Sequence, residues 1–504
     1  MFGTDRFNSP TAPVAALILA LAVLTTQFVS LGREVIDPDE STFILMGADV
    51  AKGHLPFVAM FDLKPPMIFL AIGSVLAAFG KSLVAVRLLG DVLLFGTAML
   101  TFAFARRLAS GWAALGGALC YVAFASLDLG QPTYSEFPAL FFGMFALLML
   151  VRTPGTPGRA ALAGLGLSLA VLSRTNLYPL PIVFGLLLLA ASLRQREQVH
   201  PRAWLAFGLG GLVPVISLVL AYAAAGQLAV LKLAMIDVPL AYAQQVGPAE
   251  AVTEHIRQFY VTTTMEPLIV IPFVLLVAGG IWQTVRLWRN PAQRWALILT
   301  GLAAAALLVS LAFSGAVYPH YWLQLLPVLA VLCALGLDRL ASLPRAVPLA
   351  VFAGLLPIAA AGAERLPQAA AVISDPAATE AHFQVAKAAR FITATGGHQA
   401  SVWPWRYQLV SWYLDDAPLS KAGVQPENIA RPAIIGPLAA HGYVGPDEIA
   451  RLMQLKPDFI VTDAHGKGQA WLRETEKPID AWLAQNYELE AQFGDVLVYR
   501  RFSY

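Results

Sequence analysis

The sequence predicts a polytopic α-helical membrane protein with juxtamembrane helices in its first outer loop and a soluble α/β domain at its C-terminal end. Three observations lead there. The 504 residues are 58% hydrophobic and only 13% charged, where soluble domains carry about 25% charged residues. Apolar stretches recur at lengths of roughly 17–25 residues, enough to cross a bilayer as helices. After about residue 363 the chain turns polar, and its patterns alternate between helix and strand. The net charge of +2 excludes nothing by itself; its distribution does the sorting.

About eleven spans are expected, near 13–31, 84–105, 111–127, 137–151, 160–173, 178–193, 203–225, 266–282, 295–312, 321–337 and 346–362. The first follows Arg6 and has no clear small-x-small cleavage site, so it reads as a retained span rather than a signal peptide. Cys120 and Cys333 both fall inside apolar runs and leave no loop disulfide to fix a compartment.

With the N-terminus cytoplasmic, the inner turns are "ARRLASG", "VRTPGTPGR", "LRQREQVHPR", "VRLWRNPAQR" and "LDRLASLPR", each holding two or three arginines. The opposite face collects Asp37, Asp39, Glu40, Asp49, Asp62, Asp128, Glu136, Asp237, Glu250, Glu254 and Glu266. The segment "KPPMIFLAIGSVLAAFG" is apolar but short. Its helical part would reach ~20 Å against a hydrocarbon core of roughly 30 Å. Counting it as a span would also invert every later turn. It therefore reads as a juxtamembrane helix, which makes 31–83 one long outer loop; 226–265 is a second.

The tail is expected outside, as a domain over 363–504 following a membrane module over 1–362. "TEAHFQVAKAARFITATGG" reads as a helix closed by glycine. "ASVWPW" and "DFIVTD" read as strands, "PDEIARLMQLKP" as a helix between strands, and "YELEAQFGDVLVYRR" as a hairpin turning at Gly494–Asp495. Its histidines, His382, His398, His441 and His465, lack metal-ligand spacing, and it carries no G-x-G-x-x-G and no P-loop. It reads as a lid or recognition domain.

Chemistry concentrates on the acidic face. In "DPDESTF", Asp37 can cap a helix, Pro38 can open it, and Glu40 can close a capping box. Asp39, at the second helical position, is left for other work, and the helix dipole favours its ionised form. Such a carboxylate suits a general base. In "FDLKPPM", two prolines hold Lys64 in place beside lipid, where an ammonium suits a phosphate headgroup; the alternative is a snorkelling anchor. Asp62 shares that loop. Arg87 opens a span in "VAVRLLGD", and Arg174 sits at an outer turn in "LSRTNLYPLP", where charge at membrane depth implies a partner. "VYPHYWLQLLP" sets His320, Tyr321 and Gln324 at a span start. An interfacial aromatic belt accounts for Tyr321 but not for His320 or Gln324. Glu136, in "PTYSEFPALFF", marks the mouth of another span, as an N-cap partner of Ser135 or as a site acid.

Cations that stabilise a departing phosphate and a carboxylate that takes a hydroxyl proton suit transfer of a group from phosphate to an acceptor. With no ATP motif, the donor must arrive activated, and a lipid-linked phosphosugar answers that. The order of these motifs resembles the GT-C membrane glycosyltransferases. Nearest is the bacterial branch that resembles protein O-mannosyltransferases (glycosyltransferase family 39) and lipid A aminoarabinose transferases. The resemblance covers the first 340 or so residues and is strongest from Asp37 to Arg87.

It implies a GT-C fold and an inverting transfer from an undecaprenyl- or decaprenyl-phosphate sugar. The acceptor would be a cell-envelope hydroxyl, on lipid A, polysaccharide or protein. By the same resemblance Asp39 matches the catalytic aspartate of an Asp-Glu pair and Glu40 its neighbour, and Lys64 matches a lysine that contacts the donor phosphate. Arg174 stands where relatives carry a phosphate-binding lysine, and Glu136 matches the acid of the second outer loop. Arg87, His320 and Tyr321 complete the expected phosphate side; Asp62 and Gln324 join Glu136 as an acceptor or second acidic site. Some relatives hold a divalent metal near the carboxylates; these residues leave a metal open. The implied setting is a bacterial inner membrane with the tail periplasmic, and no nucleic-acid partner. A lipid-linked sugar flippase would instead need polar groups on both faces. A scaffold would place its function in the tail alone.

Overall fold

The computed structural model describes residues 10–126, 133–152, 156–194, 199–341, 367, 374–375, 379, 381–463 and 472–502. Helices dominate the first two thirds. α1 (Ala12–Gln27) continues as a 3₁₀ turn, Phe28–Gly32, and α2 (Pro38–Ala51) and α3 (Met67–Phe79) follow. Then come α4 (Leu83–Ala105), α5 (Gly111–Ala125), α6 (Glu136–Val151), α7 (Pro157–Ser173), α8 (Pro179–Leu193) and α9 (Ala203–Ala224). Among the described residues seven helices are long and apolar enough to cross a membrane: Ala12–Gly32, Leu83–Ala105, Thr175–Leu193, Ala203–Ala224, Pro267–Leu287, Pro291–Ala312 and Pro319–Leu340. α5, α6 and α7 are shorter apolar helices packed among them. The expected span at 346–362 lies outside the described residues, as do Asp128 and His465.

α3 is 13 residues long. It packs along α2 and shares the α2 core of Phe43, Phe57, Phe69 and Ile72. The segment expected as an open second loop is largely helical. It forms α10 (Leu228–Lys232), a π turn at Leu233–Asp237, α11 (Val238–Ala243) and α12 (Pro248–Met265). Its polar residues hid the pattern, because α12 packs on α13 (Pro267–Leu287) and α14 (Pro291–Ala312) while much of its surface stays exposed. A 3₁₀ turn, Pro319–Leu325, leads into α15 (Leu326–Ala341).

The bundle packs through small residues, as helices in lipid do when no water drives them together. A Cβ on Gly164 of α7 would fall 1.9 Å from the Phe207 carbonyl oxygen of α9, and one on Gly210 of α9 would fall 2.0 Å from that of Ala161. The α13–α15 crossing repeats this, with Gly280 against Leu332 at 1.9 Å and Gly336 against Leu276 at 2.0 Å. At the end bearing the basic turns, the Ser110 backbone N–H donates to Asp338 (2.8 Å) and the Trp295 indole to the Leu150 carbonyl (2.8 Å).

The tail contains α16 (Gln384–Gly396), β1 (Val402–Pro404), α17 (Leu409–Leu414), α18 (Pro426–Ala430), α19 (Pro432–Ala440), α20 (Glu448–Leu455), β2 (Phe459–Asp463), α21 (Leu472–Asn486), β3 (Tyr487–Phe493) and β4 (Val496–Arg501). The strand order is β1-β2-β4-β3, with β1 parallel to β2 and the rest antiparallel. Gly397 ends α16 at φ 76° and Gly494 turns the hairpin at φ 60°, left-handed positions that suit glycine. Trp403, Trp405 and Phe459 of the tail join Phe43, Phe57 and Phe69 of the first loop in one apolar core. The loop and the tail are thus one unit at one end of the bundle.

Candidate active site

The site grows from the start of α2. Asp37 is its N-cap and accepts the Asp39 backbone N–H at 2.8 Å; Pro38 opens the helix. The second half of the expected capping box does not form. Glu40 is 2% exposed and turns to Arg87 (3.1 Å) and the Thr133 backbone N–H (2.8 Å). A carboxylate this deep is held by a cation, not by a helix end. Arg87 also donates to the carbonyls of Ser30, Arg33 and Glu34. That binds the chain before α2 onto α4, and it places Arg87 away from the phosphate position expected of it.

Asp62 accepts the Lys64 backbone N–H at 2.9 Å, so the turn before the two prolines is fixed from within. The Lys64 ammonium reaches Asp39 Oδ2 at 2.8 Å and lies 5.7 Å from the Phe43 ring centroid. Asp39 Oδ1 accepts from Gln425 of the tail at 2.6 Å. Burial acts to raise the Asp39 carboxyl, but the charges of Lys64 and His320 with these hydrogen bonds hold it below the ordinary range. Burial acts to lower Lys64, and Asp39 and Asp62 more than reverse that, so it stays protonated. Asp37 is pushed up to about 7, first by burial and then by the Asp39 charge. Asp62 is raised by burial despite the nearby Lys64.

A second group faces the first. Arg174 pairs with Glu136, donates to Asn176 (3.4 Å) and lies 4.4 Å from the Tyr321 ring centroid. His320 stacks between Tyr134 (5.0 Å) and Tyr318 (5.5 Å), with Nε2 3.7 Å from Glu136. Gln324 accepts from Asn176 (3.2 Å) and Ser310 (3.3 Å).

These groups bound a cavity of about 1060 Å³. Asp37, Asp39, Lys64, Arg174, His320 and Tyr321 are among its polar lining residues, and Phe124, Val270, Phe273, Leu326 and Leu329 among its apolar ones. Of the ten residues expected at the site, Asp39, Lys64, Arg174, His320 and Tyr321 are on this wall. Glu40, Asp62, Arg87, Glu136 and Gln324 are off it and buried, none more than 3% exposed. Glu136, expected at a mouth, neutralises Arg174 from behind, and its neighbour Ser135 donates to it (3.3 Å). Charges at this depth need such partners.

Sequence reasoning missed the tail's share of the wall, Gln425, Glu427 and Asn428. Thr42 donates to the Val424 carbonyl (2.9 Å), and Asn428 donates to the Phe61 carbonyl (3.1 Å), pinning this segment to the first loop. The available signal was "QPENIARP", two proline-started helices with polar residues between them.

Among the described residues no group of three or more His, Cys, Asp or Glu side chains is placed to hold a metal ion. Both Asp39 oxygens are taken by an ammonium and an amide, so the wall as arranged does not suit a cation.

The fold, a helical bundle with juxtamembrane helices in its first loop and a small mixed domain at one end, is of the GT-C type. The crystal structure of ArnT from Cupriavidus metallidurans bound to undecaprenyl phosphate is similar, with TM-score 0.60 and 16% identity over 97% of this chain and 98% of that one. The apo state of that ArnT gives 0.54 at 15% identity with the same coverage. The oligosaccharyltransferase of Archaeoglobus fulgidus, in complex with Zn and sulfate, gives 0.52 at 13% identity over 89% of this chain and 68% of that one. No protein-family model and no curated protein matches the sequence.

Proposed function

We propose that this protein is an inverting glycosyltransferase that moves a sugar from a polyprenyl-phosphate donor, undecaprenyl or decaprenyl, to a hydroxyl of a cell-envelope acceptor such as lipid A, a polysaccharide or a protein. One observation carries the reading: Lys64 and Arg174 line a cavity that the membrane-length helices also line with apolar side chains, among them Phe273, Leu326 and Leu329. A phosphate with an isoprenoid tail matches that mixture of cationic and apolar lining. The undecaprenyl phosphate in the similar ArnT structure supports the same donor class. The one-sided acids and basic turns support a bacterial inner-membrane setting with a cytoplasmic N-terminus and a periplasmic tail.

The proposed steps run through the residues on the wall. The donor phosphate brings Lys64 a second anion, which competes with Asp39 for the ammonium. As Lys64 turns to the phosphate, Asp39 Oδ2 is freed for the acceptor hydroxyl. Asp39 takes that proton as the acceptor oxygen bonds to the anomeric carbon. The bond from that carbon to the phosphate oxygen breaks, and polyprenyl phosphate leaves against Lys64 and Arg174. Glu40 and Arg87 hold α2 in register beneath this.

The test uses the full-length protein in liposomes with an undecaprenyl-phosphate sugar and an acceptor lipid, with products read by mass spectrometry. Transfer is expected, with Asp39→Asn lowering it by about 10²–10⁴-fold while the variant still inserts and folds. Near-normal transfer by that variant sinks the assignment of the base. Movement of unaltered donor across the bilayer, without transfer, would make the protein a flippase.

A further inference from the structure

Glu427 and Tyr318 lie on the cavity wall together although they are 109 residues apart in the chain. The Tyr318 hydroxyl donates to Glu427 Oε2 at 3.0 Å. Arg431 Nη2 donates to the Tyr318 oxygen at 2.6 Å and sits 3.2 Å from the same Glu427 Oε2. The Arg431 guanidinium also lies 5.8 Å from the ring centroid of Tyr242, another wall residue. One Glu427 oxygen is therefore engaged twice, while Oε1 accepts no hydrogen bond among the described residues.

A fixed carboxylate oxygen beside Tyr318, on a wall that also holds the Tyr242 ring, discriminates among the parts of a lipid-linked phosphosugar. It repels the phosphate. It offers nothing to an isoprenoid chain. A sugar ring fits, because its hydroxyls donate to carboxylates and its C–H faces pack on aromatic rings. Position agrees. The anomeric carbon must lie beside Lys64 and Asp39, and Glu427 is two residues from Gln425, which holds Asp39. Burial raises the Glu427 carboxyl above its usual range even with Arg431 opposing.

We propose that Glu427, braced by Tyr318 and Arg431, binds the ring hydroxyls of the transferred sugar, so that the tail selects the donor sugar. This rests on the glycosyltransferase reading. A hydroxyl-bearing acceptor could offer the same chemistry, and the test separates the two sources.

Wild type, Glu427→Leu and Tyr318→Phe are compared in nanodiscs as full-length proteins. The readouts are KM for the sugar donor, KM for the acceptor, and affinity for undecaprenyl phosphate without a sugar. Hydrogen bonds to a charged group are worth ~1.5–3 kcal/mol, about 10–150-fold. Glu427→Leu is expected to raise donor KM by about tenfold or more. Acceptor KM and undecaprenyl-phosphate affinity should stay within about twofold. Tyr318→Phe, which keeps the ring, is expected to move donor KM the same way by less, and it serves if the first variant does not fold. A shift in acceptor KM alone overturns the proposal in favour of an acceptor site. Loss of undecaprenyl-phosphate binding overturns it in favour of a structural role, and unchanged kinetics overturn it outright. A wild type that transfers no sugar overturns both this inference and the transferase reading; an active wild type indifferent to Glu427 overturns this inference alone.

Discussion

Asp37 and Asp39 are two residues apart and are driven in opposite directions, the first up to about 7 and the second below the ordinary range. Between the usual value of 3.8 and about 7, the folded protein holds a proton on Asp37 that the unfolded chain has released. Stability from this group is therefore present in full at low pH and is lost as pH rises through that window. Asp37→Asn keeps a capping oxygen and removes the charge. It is expected to raise Tm at pH 8, leave it near wild type at pH 4, and flatten the dependence between; thermal denaturation in detergent at both pH values checks this. An unchanged slope would mean that Asp37 is ionised throughout. Asp39 and Lys64 were legible in the sequence because their motifs fix them locally, one on a helix start and one before two prolines. Arg87 was misplaced because an arginine at the head of an apolar helix reads the same whether it faces a ligand or three carbonyls. Gln425 was invisible, since its partner is 386 residues away.

At the scale of elements, the bundle is set by where two backbones can touch. A side chain at Gly280 would meet the Leu332 carbonyl, which belongs to a helix and cannot rotate aside. Gly280→Leu is expected to force α13 from α15 and cost about 1–3 kcal/mol or more, seen as a lower Tm and weaker donor binding, because Phe273 and Leu329 on these helices line the cavity. Gly301→Ala is the control, since nothing lies within 4 Å of the added carbon; equal losses in both variants would refute the packing argument. Most spans could be read directly, because apolar length is a one-dimensional signal. α3 was separable by its length and by the basic turns that counting it as a span would have inverted. The helices between residues 226 and 265 were not, because their buried faces are narrow and their polar residues carry no clean period.

On the scale of the whole molecule, the polar tail is joined to the first loop by charge as well as by a common core. Both Glu34 oxygens accept backbone N–H groups at the start of α16, from Val385 (2.8 Å) and Ala386 (2.7 Å). A carboxylate at a helix N-terminus contributes ~0.3–1 kcal/mol, up to ~2 when partly buried. Glu34→Gln is expected to lose much of this and to speed hydrogen exchange over residues 384–396, leaving α13 and α15 unchanged; uniform protection would show the contact to be dispensable. The hydrogen bond between Asp39 and Gln425 also has a meaning in time. At ~5–20 residues per second, the ribosome needs roughly 20–80 s to travel the 386 residues between them. Through that interval Asp39 has Lys64 beside it but lacks Gln425, and the cavity wall is complete only when the tail arrives. On the transferase reading proposed above, the site stays silent until the tail has been made.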